Sequence, residues 1–151
     1  MLGRCHRLPP VPVDLIDAQG CVLADTVVAS ADVPPFANSA MDGFAVRAAD
    51  VATANEKSPV RLRVVGTIAA GAPPDIPVGP WEAVRIMTGA PIPPGADAVV
   101  VVERSTPVGD GSHVDLTEAS APGRHIRAAG EDVAHGDAVL PAGTLLGPAH
   151  L

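Results

Sequence analysis

Aromatic side chains are nearly missing from this chain: Phe36, Phe44 and Trp81 are the only three in 151 residues. Small-molecule sites usually carry more ring lining than that, so a carbohydrate- or nucleotide-binding module has little to build on beyond Trp81. Cysteine is equally scarce. Cys5 and Cys21 are too few and too widely spaced for a disulfide framework or a zinc site, which points to a reduced, cytoplasmic setting. Positive charge is short as well: ten Lys and Arg against 17 Asp and Glu leave a net charge of −7. That balance argues against nucleic acid or an anionic membrane surface as partner. No apolar run approaches the ~20 residues that span a bilayer, and the opening MLGRCHRLPPVP lacks the apolar core of a signal peptide. No two of the five histidines stand at metal-ligand spacing, and Ser39 has no G-x-S-x-G setting. P-loop and G-x-G-x-x-G motifs are missing too.

What is abundant is aliphatic and heavily punctuated. Hydrophobic residues make up 47% of the chain, so the core must be packed from Val, Ile, Leu and Ala, and the Val-rich runs favour strands. Seventeen prolines and 15 glycines interrupt those runs too often for long helices. The composition reads as β-rich with many turns, and the length suits one domain or two small lobes. Nine of the ten basic residues are Arg, with Lys57 the exception. Arginine suits bidentate capture of oxyanions, although a GC-rich gene produces the same bias.

Along the chain, residues 1–11 read as an irregular arm and residues 21–28 (CVLADTVV) as a strand, which the Pro34-Pro35 pair closes off. Residues 47–59 form the least structured interior stretch, a surface loop or single helical turn. VRLRV at 60–64 alternates as a half-buried strand does, with Arg61 and Arg63 facing water. Residues 98–102 are apolar throughout, as in a strand buried on both faces, and HVDLTEAS at 113–120 alternates again. Turn signals at 135–137 and 141–143 suggest stacked hairpins. Gly147-Pro148 reads as the start of a helix with three residues left after it, so the chain reads as cut short.

Three polar loops stand out against this background. Asn38-Ser39-Ala40-Met41-Asp42-Gly43 contains an Asp-Gly step, a type I′ hairpin signal. Read instead as a site, its carboxylate could hold a hard cation such as Mg2+ or orient a water. Met87-Thr88-Gly89-Ala90-Pro91 follows an apolar strand; it is either a rigid connector or a concavity of backbone N–H groups for an anion, with the Thr88 hydroxyl added. Arg127-Ala128-Ala129-Gly130-Glu131-Asp132 offers adjacent acids that are either solvated or an acid/base or metal pair.

In their order and spacing, DVPPFANSAMDGFAV, RIMTGAPIPPGADAVV and IRAAGEDVAHGDAVLPAGTLLGPAHL resemble the amino-terminal region of the molybdopterin molybdenumtransferase family (MoeA, and the matching domain of gephyrin). The resemblance runs from about residue 11 to the last residue. It implies a mainly β fold with minor α: two small β-rich lobes, one inserted into the other, rich in hairpins and Pro/Gly loops. The expected boundaries are an arm at 1–11, a discontinuous lobe at 12–33 and 123–151, and an inserted lobe at 34–122. It also implies an enzyme that takes molybdate and adenylylated molybdopterin, uses Mg2+, inserts molybdenum and releases AMP.

By the same resemblance, Asp42, Thr88 and Asp132 fall on functional positions, and Asn38, Ser39 and Gly89 on neighbouring motif positions. Asp42 and Asp132 are then expected to hold Mg2+ or water, because carboxylates repel a naked oxyanion. Thr88, Gly89, Asn38, Ser39 and Arg127 are expected at the substrate anion. A homodimer is implied, with each site completed by a pterin-binding domain that this chain lacks, and a molybdopterin adenylyltransferase is a further expected partner. Cys21 stands where the family often has Arg. The alternative reading is a non-catalytic scaffold of the same fold, which would have no physical need for Asp42, Thr88 and Asp132 together.

Overall fold

The computed structural model describes residues 8–151; residues 1–7 of the expected arm lie outside the described residues. The strands are β1 (Val27–Val28), β2 (Asn38–Ser39), β3 (Gly43–Val46), β4 (Val60–Ile68), β5 (Glu82–Ile86), β6 (Ala98–Val101), β7 (Ser105–Val108), β8 (His113–Leu116), β9 (Ile126–Arg127) and β10 (Ala138–Leu140). One helical turn, α1 (Ala48–Val51), and 3-10 turns at Leu15–Asp17, Val102–Arg104 and Pro148–His150 complete the described elements. The fold is mainly β with minor α, as expected. Among the described residues no helix is long and apolar enough to cross a membrane.

The chain divides into two compact units: a flanking unit made of the chain up to Ala31 and His135–Leu151, and an inserted unit, Asp32–Ala134. The sequence put the second boundary at 122/123; it falls at 134/135. The reason is long-range pairing: β9 lies antiparallel to β2, with Asn38 opposite Arg127 and Ser39 opposite Ile126. Residues 123–134 therefore belong with the loops they bond.

The inserted unit is organised by a six-stranded sheet in the order β6-β3-β5-β4-β8-β7, antiparallel except where β4 and β5 run parallel. Side chains alternate across it with the period of two that a pleat imposes. Phe44, Val46, Ala83, Ala98 and Val100 enter one apolar cluster with Leu62, Val114 and Leu116. Ala45, Val84, Ile86 and Val99 enter the other with Ile68, Val78 and Ala90. β6 is thus buried on both faces, as its unbroken apolar run predicts, but Val102 has already left it for a 3-10 turn.

The alternation of β4 holds: Arg61 and Arg63 face outward, Arg61 forking onto Asp115 at 2.7 and 2.8 Å and Arg63 pairing with Glu82. The 47–59 stretch holds the single helical turn that is one of its two readings: α1 buries Ala48 and Val51 and caps its first N–H on Asp97 at 2.6 Å.

Two readings of turns change. Asp42-Gly43 is not a hairpin, because β2 and β3 pair with different partners and neither residue has the positive φ that a type I′ turn demands. Gly43 answers another need: a Cβ there would lie 2.1 Å from the Val100 carbonyl oxygen, so glycine lets β3 close onto β6. In the flanking unit, the turns around Gly136 and Gly143 do not build stacked hairpins. β10 pairs with β1, and Leu145 bridges Val22. The strand expected at 21–28 shrinks accordingly to Val27–Val28, since bends at Ala24 and Asp25 break it. The last turn, Pro148–His150, begins where Gly147-Pro148 signals a helix.

Candidate functional site

The three motif loops all belong to the inserted unit, and backbone bonds lace them together. β2 is the centre. On one side the Ser39 N–H donates to the Ala90 carbonyl at 2.9 Å, and the Gly89 N–H donates to the Ser39 carbonyl at 2.8 Å. On the other side stands β9, and the Ala40 N–H donates to the His125 carbonyl at 2.9 Å. The third loop is tied down by the Gly130 N–H on the Pro34 carbonyl and the Asp132 N–H on the Val33 carbonyl, each at 2.9 Å.

This lacing consumes most of the donors. Asn38 and Ser39 are buried, 7% and 1% exposed, and their side chains bond within their own loop: Asn38 Nδ2 to the Phe36 carbonyl at 3.3 Å, Ser39 Oγ to the Met41 carbonyl at 2.6 Å. Both therefore fix the loop's shape, as buried polar groups with local partners do. The Thr88-Gly89-Ala90 stretch is no open nest of N–H groups either. Thr88 N–H goes to Asp42, Gly89 N–H to Ser39 and Ala90 N–H to Met87.

Asp42 and Thr88 form the most pointed arrangement. Both are exposed, and Asp42 Oδ1 accepts two bonds from Thr88, from its backbone N–H and from its hydroxyl, each 2.7 Å. Oδ2 bonds no described residue. Bonds to the charged form favour it, so the Thr88 backbone N–H first, then its hydroxyl, hold the Asp42 carboxyl below the usual carboxylate range; the Arg85 guanidinium adds to this and partial desolvation opposes it. The result is an ionised carboxylate with one oxygen aligned and one free.

Asp132 is placed differently. It pairs with Arg127, whose Nε also lies 3.9 Å from Glu131, while Glu131 Oε2 accepts the Ala128 N–H at 2.9 Å. Bonding to Asp132 raises the Arg127 guanidinium above its already high value, so this is an ion-paired, self-contained turn. No bond joins Asp42 to Asp132. Among the described residues no three of His, Cys, Asp and Glu gather at metal-binding distances. Beside the loops lies an apolar hollow of about 460 Å³ lined by Phe36, Gly71, Ala72, Pro73, Pro74 and Pro91.

Sequence reasoning missed Arg85. It stands opposite Phe44 in the β3–β5 register, with its guanidinium carbon 5.2 Å from the ring centre. An arginine inside the apolar run of β5 was the available signal.

An inserted β unit whose SAMDG, MTGAP and GED segments are tied by backbone bonds to the one stretch 33–40 defines the class: the chain belongs to the MoeA N-terminal region family (domain I and II), whose model matches residues 2–151. Over all 151 residues it is 47% identical to molybdopterin molybdenumtransferase 2 of Mycobacterium tuberculosis (strain CDC 1551 / Oshkosh), covering 36% of that protein. It is 43% identical over 138 residues to the molybdopterin molybdenumtransferase of Bacillus subtilis (strain 168), matching 90% of this chain and 32% of the relative. The crystal structure of the molybdopterin biosynthesis moeA protein from Pyrococcus horikoshii OT3 superposes with a TM-score of 0.84 at 39% identity, over 91% of this chain and 36% of that one. The chain thus spans about a third of the length of the curated relatives it matches.

Proposed function

We propose that this chain is the amino-terminal part of a molybdopterin molybdenumtransferase, which inserts molybdate-derived molybdenum into adenylylated molybdopterin and releases AMP. Its share is the half-site loops and the dimerisation region, with the pterin-binding domain supplied from outside these residues. The observation that carries the reading is the Asp42–Thr88 pair, an exposed carboxylate locked by two donors with its second oxygen free. A pure scaffold has no use for such a group.

The donor chemistry fits Mg2+ at Asp42. Mg2+ is commonly held by one or two carboxylates together with substrate phosphates, which suits a site without a three-ligand protein cluster. When bound there, the ion supplies charge neutralisation on phosphate oxygens. Thr88 keeps Asp42 ionised and in one orientation. Asp132 fits a metal less well because Arg127 already neutralises it; its role is to hold Arg127 in place beside Asn38. A homodimer is part of the proposal, supported by the large apolar residues that the flanking unit leaves exposed, Val22, Val139 and Leu145 among them.

The test is a chimera in which this chain replaces the matching third of the Mycobacterium tuberculosis relative. Asp42→Asn is expected to lower molybdenum insertion roughly hundredfold or more, the scale of losing a charge-stabilising group, with the fold unchanged by circular dichroism. Undiminished insertion would mean the carboxylate has no part in the reaction.

A further inference from the structure

Six of the seven described arginines have a carboxylate within 4.0 Å: Arg47 pairs with Asp50, Arg61 with Asp115, Arg63 with Glu82, Arg104 with Glu56, Arg124 with Glu118 and Arg127 with Asp132. Arg85 is the exception, and it is half-buried. Its side chain lies over the Phe44 ring, a contact that orients a guanidinium without neutralising it. Its Nε is fully covered and has no hydrogen-bond partner. A covered, unpartnered donor on a cation is costly to maintain, and fold stability gives no reason to keep it when apolar residues flank it on β5.

Its position supplies one. Phe44, directly opposite Arg85, is two residues from Asp42, and Thr88 follows Arg85 by three. Arg85 is also the nearby positive charge that acts on the Asp42 carboxyl. The inserted unit therefore places an uncommitted cation on β5 near an aligned carboxylate that immediately precedes the adjoining strand β3, a combination suited to an oxyanion arriving with its own cation.

We propose that Arg85 is an anion-binding residue of the Asp42–Thr88 site, taking an oxyanion of phosphoryl or molybdate type through its terminal nitrogens. This rests on the reading of that site given above, and it adds the arginine that heads the RIMTGAP stretch, just before the Met87–Pro91 loop.

The experiment is amide-resolved NMR titration of the 151-residue chain with inorganic pyrophosphate and, in a separate arm, with molybdate, each with and without Mg2+. The expected result is weak binding that shifts the amides of residues 42–44 and 85–89, with the stronger arm identifying the oxyanion. Arg85→Gln should weaken it about tenfold or more, the loss that a charge-assisted bond carries. Where Arg85→Gln disturbs the sheet, Arg85→Lys carries the test, since a point charge cannot reproduce the planar fork and affinity should fall about threefold. Shifts confined to other residues in both arms, or equal affinities for wild type and a folded variant, overturn the proposal. That failure is separable from failure of the enzymatic reading, which is decided by molybdenum insertion in the Asp42→Asn chimera.

Discussion

Among the described residues, Ala18 is the only buried hydrophobic residue in the flanking unit, whereas the inserted unit buries Leu62, Ile68, Ile86, Leu116 and fourteen more. The exposed large hydrophobics divide the other way: Leu8, Val11, Val13, Leu15, Ile16, Val22, Val27, Val28, Val139, Leu145 and Leu151 belong to the flanking unit, and Val33, Phe36, Met41 and Trp81 to the inserted one. One unit is stabilised by its own sheet, with an apolar cluster on each face. The other is held by β1–β10, a short pairing interrupted by a register shift, and leaves its apolar residues uncovered. Burying a Val, Leu or Ile side chain is worth ~1.5–3 kcal/mol, so the uncovered set is a large unused driving force. Such surfaces mark association. The difference separates two characters: the sheet gives the site a rigid support, and the flanking segments present the apolar surface on which the proposed dimer rests.

The comparison is sharpest at Gly43. Gly43→Ala forces a methyl group to within 2.1 Å of the Val100 carbonyl oxygen, and we expect a loss of roughly 3–5 kcal/mol in urea unfolding. A loss below about 1 kcal/mol would show that β3 and β6 separate easily and that the sheet is not the rigid element.

Next in size is a matched pair of leucines. Leu62→Ala in the sheet, where the side chain is 0% exposed, should cost about 3 kcal/mol. Leu145→Ala in the flanking unit, 64% exposed, should change monomer stability by no more than about 0.5 kcal/mol. It should nevertheless raise the dissociation constant of the proposed dimer in sedimentation equilibrium. Equal losses of monomer stability in the two variants would erase the contrast between the units.

The smallest expected effect lies within the site. Asp42 has a folded-state pKa below its ordinary 3.8, so the stabilisation from its Thr88 bonds is complete above 3.8 and is lost as pH falls through the lowered value. Thr88→Val removes the hydroxyl donor and leaves the backbone donor. The Asp42 carboxyl should then titrate closer to 3.8, while staying below it, in a carbon-detected NMR titration. An unchanged titration would show that the hydroxyl contributes nothing to the carboxylate.

Periodicity made the sheet readable in advance. The alternation at 60–64 and the unbroken apolar run at 98–102, all but its last residue in β6, report directly which faces are covered, because a pleat exposes every second residue to the same environment. The three motif loops were legible as a set through their resemblance to a family, and they do lie together. Less accessible was the pairing of β2 with β9. Two-residue strands carry no period, and their partners are set by chain segments far apart, so residues 123–134 were grouped with the wrong unit. Asp42-Gly43 misled for a related reason: glycine serves both positive φ and close approach, and only the neighbouring Val100 distinguishes them. Arg85 was hidden in plain view, since a lone arginine within an apolar strand looks like an ordinary half-exposed strand residue until its missing partner is noticed.

The neck of the inserted unit has one more consequence. The Val33 N–H donates to the Val133 carbonyl at 2.8 Å and the Asp132 N–H donates back to the Val33 carbonyl at 2.9 Å, so the first and last residues of Asp32–Ala134 leave side by side. A segment whose ends meet can be spliced into a foreign turn without stretching its host. The region carrying Asp42, Thr88 and Arg85 is in that sense a portable cassette, free to evolve its chemistry while the surrounding chain keeps its own connections.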